Sequence, residues 1–180
     1  VQLLGPDRAD LGLIQSGLNS AGNAPKADHN AVFSADATEF ELGSADELLV
    51  PLTWTDGQGI TVEKTLHFTR GSYRIDVSHR ITNNSDADWR GAEYAQIQRR
   101  SRDAERAMFD VDSYSFDGPI IYTGEKSQKL DRDDLLSDGA FNIQAANGWV
   151  GLIQHHFLSA IVPPDTPGTM SAQPIKNPRP

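Results

Sequence analysis

Between Leu48 and Ile81 apolar side chains recur at every second position. Leu48, Val50, Leu52 and Trp54 share one phase, and Asp56-Gly57-Gln58-Gly59 then breaks it as a turn. Ile60, Val62, Leu66 and Phe68 share the next phase, with Lys64 as the one polar intruder, and Arg70-Gly71-Ser72 makes a second turn. Tyr73, Ile75, Val77, His79 and Ile81 alternate again until Asn83-Asn84-Ser85-Asp86. Strand side chains point alternately to the two faces, so this pattern predicts three consecutive strands of an antiparallel meander with one buried face.

The rest is less regular. Gly17, Asn19, Gly22, Asn23 and Pro25 punctuate the first stretch too often for a long helix, so it reads as extended segments and loop. Tyr94 to Arg100 reads as a further strand, Ser101 to Arg106 as a charged loop or helical turn, and Asp112 to Thr123 as strand pieces. Ser127 to Asp138 is the best helix candidate, with Leu130, Leu135 and Leu136 near helical spacing and Asp138-Gly139 as its stop. Gln144 to Val162 is an almost continuous apolar run, read as one central strand buried on both faces. From Asp165 the prolines Pro167, Pro174, Pro178 and Pro180 interrupt any period, which suggests a linker or tail over 165–180. Many strands and little helix predict an all-β fold of antiparallel strands, a sandwich, over 1–164.

Charge narrows the partners. The formal net charge of -9 argues against nucleic acid and against adsorption to anionic lipid. Arg99, Arg100, Arg102 and Arg106 cluster inside this acidic chain and form a candidate docking patch for an acidic partner; the competing reading is a solvated loop balancing Asp103, Glu105 and Asp110. Cysteine is absent, so thiol chemistry is excluded. No stretch is long and apolar enough to span a bilayer.

Chemistry finds little footing. His155 and His156 are adjacent, so in a strand they point to opposite faces and do not chelate one ion. His67 and His79 fall in opposite phases of neighbouring strands. Asp131, Asp133 and Asp134 lack the Gly and closing Glu of a calcium loop. Glu93 and Asp110 are the one carboxylate pair considered for glycoside chemistry, and nothing fixes their separation. No nucleophile elbow, phosphate loop or dinucleotide fingerprint occurs. The reading is therefore of no catalytic, cofactor-binding or metal-binding residues. Trp54 and Trp149 sit in strand patterns and read as core, whereas Trp89 after Asp86-Ala87-Asp88 reads as exposed.

One ordered set of segments resembles a known family. Gln15-Ser16-Gly17-Leu18, Leu49 to Asp56 with Gly59, Thr65 to Tyr73, Asp112 to Pro119 and Gly148 to Pro163 resemble, in that order, segments of the periplasmic domain of the YidC membrane protein insertases. The resemblance covers roughly Leu3 to Pro164; beyond Pro164 no further segment is recognisable, and the chain reads as a fragment of a longer protein. It implies a β-supersandwich similar to galactose mutarotases, with no catalytic residues and no cofactor. It implies a place on the periplasmic side of the bacterial inner membrane and a role as scaffold or docking module. The partners it implies are the membrane-embedded part of the same insertase, periplasmic segments of the Sec translocon, and nascent membrane-protein substrates. The alternative is a carbohydrate-binding or mutarotase-like enzyme, for which His67 or His79 with Glu93 or Asp76 are the candidate acid and base.

Overall fold

A computed structural model describes residues 4–5, 11–22, 25–100, 116–154 and 156–175. Among these residues antiparallel strands dominate, with one short helix and no barrel, as the all-β reading expects. The chain divides into two compact units, Ser16–Tyr94 and the pair of segments Val1–Gln15 with Ala95–Pro180. Strands β1 (Gly12–Ser20) and β5 (Gly91–Arg99) pair with each other, and each contributes residues to both units.

The Ser16–Tyr94 unit is built on the predicted meander. Strands β2 (Glu47–Thr55), β3 (Ile60–Thr69) and β4 (Ile75–Asn83) form an antiparallel sheet in the order β2-β3-β4. The register sets Trp54 opposite Val62 and Val62 opposite Ile81, so the three period-two phases fall on one face. Pro51 is tolerated because β2 is an edge strand, where a missing N–H costs no central ladder bond. The first turn is fixed by side chains. The Asp56 carboxylate accepts from the N–H groups of Gln58 at 2.7 Å and Ile60 at 3.0 Å. Gly57 takes the positive φ of 72° that glycine adopts without steric cost. At the second turn Arg70 donates to the carbonyls of Gly43 and Ala45 at 2.6 and 2.7 Å, tying the loop before β2 to the hairpin. The core of this unit is Leu18, Ala27, Ile60 and Val62, with Phe33, Trp54 and Trp89 packed on it. Trp89 is thus a partly buried core neighbour, not the exposed tryptophan expected from its acidic flank.

The other unit departs further from expectation. Strands β6 (Gly118–Tyr122), β7 (Ser127–Lys129), β9 (Trp149–Gln154) and β10 (Phe157–Ile161) form a sheet in the order β10-β9-β6-β7. The apolar run expected as one central strand is therefore a hairpin. Its arms are β9 and β10, with Gln154 facing Phe157 in register, and Asn147 at φ 58° precedes the first arm.

The helix expected over Ser127 to Asp138 is confined to α1 (Arg132–Asp138). Ser127–Lys129 instead pairs with Ile120–Tyr122 through a turn in which Gly124 takes φ 94°. Asp131 starts the helix, accepting from the Asp133 N–H at 2.8 Å, and Gly139 ends it. Strand β8 (Phe141–Ala145) pairs with β11 (Gly168–Ala172), which lies inside the stretch read as a Pro-rich tail or linker. Pro167 and Pro174 bracket β11 without entering it, so a strand fits between them. Met170 of β11 is 5% exposed and packs with Ile121, Leu130 and Leu135.

Candidate functional site

The Ser16–Tyr94 unit concentrates its polar chemistry at one row of the sheet. Lys64 interrupts the apolar phase of β3 and His79 that of β4, and the register makes them direct partners, with Leu52 on the far side of Lys64. Directly opposed side chains on one face approach closely, so the two polar intruders are neighbours inside an apolar surface. Each finds a partner on β1 or β5. Lys64 Nζ donates to the Ser16 carbonyl at 3.0 Å. His79 Nδ1 lies 3.0 Å from Glu93 Oε1. Only 3% of the His79 side chain is exposed, and its Nε2 is enclosed with no hydrogen-bond partner among the described residues.

Burial dominates the protonation of this cluster. It lowers the His79 pKa from its ordinary value of 6.5, against the opposing pull of Glu93, and the Lys64 charge lowers it further. Burial also lowers the Lys64 pKa, again against Glu93. The arrangement holds a neutral imidazole whose Nδ1–H donates to a carboxylate. A general base must present its free nitrogen to a substrate, and here Nε2 is closed off from solvent.

The candidate acid–base residues are thus partly brought together. His79 meets Glu93, while His67 lies on the opposite face of the sheet. There it stands across from Asp76 in register and 3.5 Å from Glu47 Oε2. Among the described residues no three metal-ligating side chains converge. Asp110 lies outside the described residues, so the Glu93–Asp110 pairing has no structural account.

Of the arginine patch, Arg102 and Arg106 lie outside the described residues. Arg99 is held 3.4 Å from Asp117 with 13% of its side chain exposed, so much of its charge is already matched within the chain. Arg100 is exposed, and its N–H bonds to the Leu11 carbonyl.

A second feature escaped sequence reasoning. The apolar face of the β2-β3-β4 sheet is only partly covered along one edge. On the edge strand β4, Ile75 is 53% exposed, Val77 38% and Ile81 39%. Alternation announced a buried face, but nothing local says how far the covering layer extends.

The fold and this geometry define an antiparallel all-β domain in which the His79 ring is enclosed beside Glu93 and the sheet keeps an apolar margin open. A family model described as the YidC periplasmic domain matches residues 1–177, past the Pro164 limit of the resemblance seen in the sequence. The chain is 38% identical over 162 residues to a membrane protein insertase YidC of Methylococcus capsulatus, covering 88% of this chain and 29% of that protein. It is 42% identical over 166 residues to a membrane protein insertase YidC of Nitrosococcus oceani, covering 91% of this chain and 29% of that protein. The relative from Thioalkalivibrio sulfidiphilus, with the same name, is 39% identical over 159 residues, 86% of this chain and 27% of its own. The chain belongs to the YidC periplasmic domain family. It spans less than a third of the length of these relatives. Among the described residues no helix is long and apolar enough to cross a membrane.

Proposed function

We propose that this chain is a scaffold or docking module on the periplasmic side of the bacterial inner membrane, serving a YidC-type insertase in membrane protein insertion and folding. The observation that carries the reading, beside the family, is the open apolar margin at Ile75, Val77 and Ile81. These residues lie on a strand that pairs on one side only among the described residues. An edge strand offers unpaired backbone groups, and apolar side chains beside it offer pockets for alternate residues of an added strand. The occupant best matched to that margin is an extended apolar polypeptide segment, as in a nascent membrane protein. The membrane-embedded part of the same insertase and periplasmic segments of the Sec translocon are its further partners.

A photocrosslinker at Val77 in the full-length insertase, with stalled nascent chains in inner-membrane vesicles, tests this. Nascent-chain adducts from Val77, and fewer from Thr82 on the other face, support docking at the margin. Equal or absent adducts at both positions refute it. The carbohydrate-enzyme reading needs His79 with Glu93, or His67 with Asp76 across from it, and the enclosed Nε2 of each histidine speaks against it. Sugar mutarotation by the purified chain, abolished in Glu93→Gln, would restore it.

A further inference from the structure

We propose that Lys64, His79 and Glu93 form a proton-operated latch that holds β3 and β4 to the Ser16–Ser20 and Gly91–Tyr94 segments, and that loosens when His79 takes up a proton. The proposal does not rest on the docking reading. β4 forms no ladder with β5, which pairs with β1, so side chains must make the connection. Part of it is the apolar cluster of Leu18, Ile60 and Val62. The polar part is the row described above, where Lys64 reaches Ser16 and His79 reaches Glu93.

The neutral imidazole suits this site. Its Nδ1–H donates to Glu93, and the enclosed Nε2 is left as an unmet acceptor. Protonation would put a second N–H at Nε2 with no acceptor among the described residues, and a second cation directly across from Lys64. A buried donor without a partner costs more than a buried acceptor lone pair left idle, and a like charge adds to it.

The charged groups that face His79 are few. β3 presents Lys64, β5 presents Glu93, and β2 presents uncharged Leu52 in the same row. Ser16–Ser20 of β1 carries no charge, and along β4 the same face holds Val77 and Ile81. Among the described residues Glu93 is the sole counter-charge, and half of its side chain is exposed.

The sign follows from which state binds the proton better. The folded ring has the lower pKa, so the unfolded chain binds the proton more tightly. The latch is fully closed above the ordinary pKa of 6.5 and weakens as pH falls below it. One extra proton taken up on opening changes the opening constant by about tenfold per pH unit.

The test uses the whole chain. The His79 ring is titrated by NMR, and hydrogen exchange of the Ile60–Thr69 amides is followed, corrected for intrinsic rates, from pH 8 to pH 5. A His79 midpoint below 6.5, with opening that rises as pH falls and a flatter profile in His79→Gln, is the expected result. Lys64→Met is expected to raise the midpoint, because it removes the like charge. A wild-type midpoint at or above 6.5, or an unchanged slope in His79→Gln, overturns the proposal. If His79→Gln does not fold, the Lys64→Met midpoint decides, and an unshifted midpoint overturns it.

Discussion

Truncating Met170 tests whether the strand hidden in the Pro-rich end is part of a core. Met170 faces Ile143 in the β8–β11 register, is 5% exposed, and packs with Ile121, Leu130 and Leu135. Met170→Ala removes three heavy atoms from that contact. At roughly 0.8 kcal/mol per buried methylene the transfer loss is about 2 kcal/mol, and the cavity left behind takes it toward ~2–4 kcal/mol. A loss of that size speeds local opening by at least about 30-fold, since 1.4 kcal/mol is a factor of about ten.

Hydrogen exchange with peptide resolution reads this directly. The amides of β8 and β11 are expected to exchange faster by that factor, while those of β3, in the other unit, stay unchanged. Ile175→Ala serves as control, because Ile175 is 47% exposed, and its effect is expected below about 0.5 kcal/mol. Acceleration of less than about threefold in Met170→Ala would refute the assignment of β11 to the core. So would equal effects from the two variants.

Two further substitutions test local geometry. Asp56→Ala removes the acceptor for two backbone N–H groups of the first hairpin turn. It is expected to lower stability by about 1–2 kcal/mol in thermal unfolding, and Asp56→Asn by clearly less, because an amide oxygen still accepts; equal losses would contradict the turn. Gly148→Ala sets a Cβ in collision with the Tyr122 carbonyl oxygen and 2.7 Å from Met170 Cε. A loss of about 1–3 kcal/mol in urea unfolding is expected, and a neutral result would show that this approach is not close.

The meander was legible because its cause is local. Period-two phases, Asp56 to Gly59, and Arg70 to Ser72 are contained within a few residues of one another, and β2, β3 and β4 follow them. The limits of α1 were half legible. Asp138-Gly139 marked the stop, but the start was misplaced because Ser127–Lys129 is held as a strand by Ile120–Tyr122, a partner that leucine spacing does not reveal. The candidate pair His79 and Glu93 could be named from residue types, and its company of Lys64 could not. Fourteen positions in sequence separate the two acid–base residues, and only the fold closes that distance to 3.0 Å.

By itself the sequence determined the strand class, the family likeness and the absence of thiol chemistry. Each depends on residue identity or on a short repeat. The tertiary structure alone decided that the Gln144 to Val162 run folds back on itself and that Gly168–Ala172 completes a core. It also decided that Arg99 is matched by Asp117 and that His79 is sealed. The physical reason is common to all four. A strand's hydrogen bonds and a buried side chain's neighbours come from distant parts of the chain, and the free energy that selects them is shared between segments that local patterns do not connect.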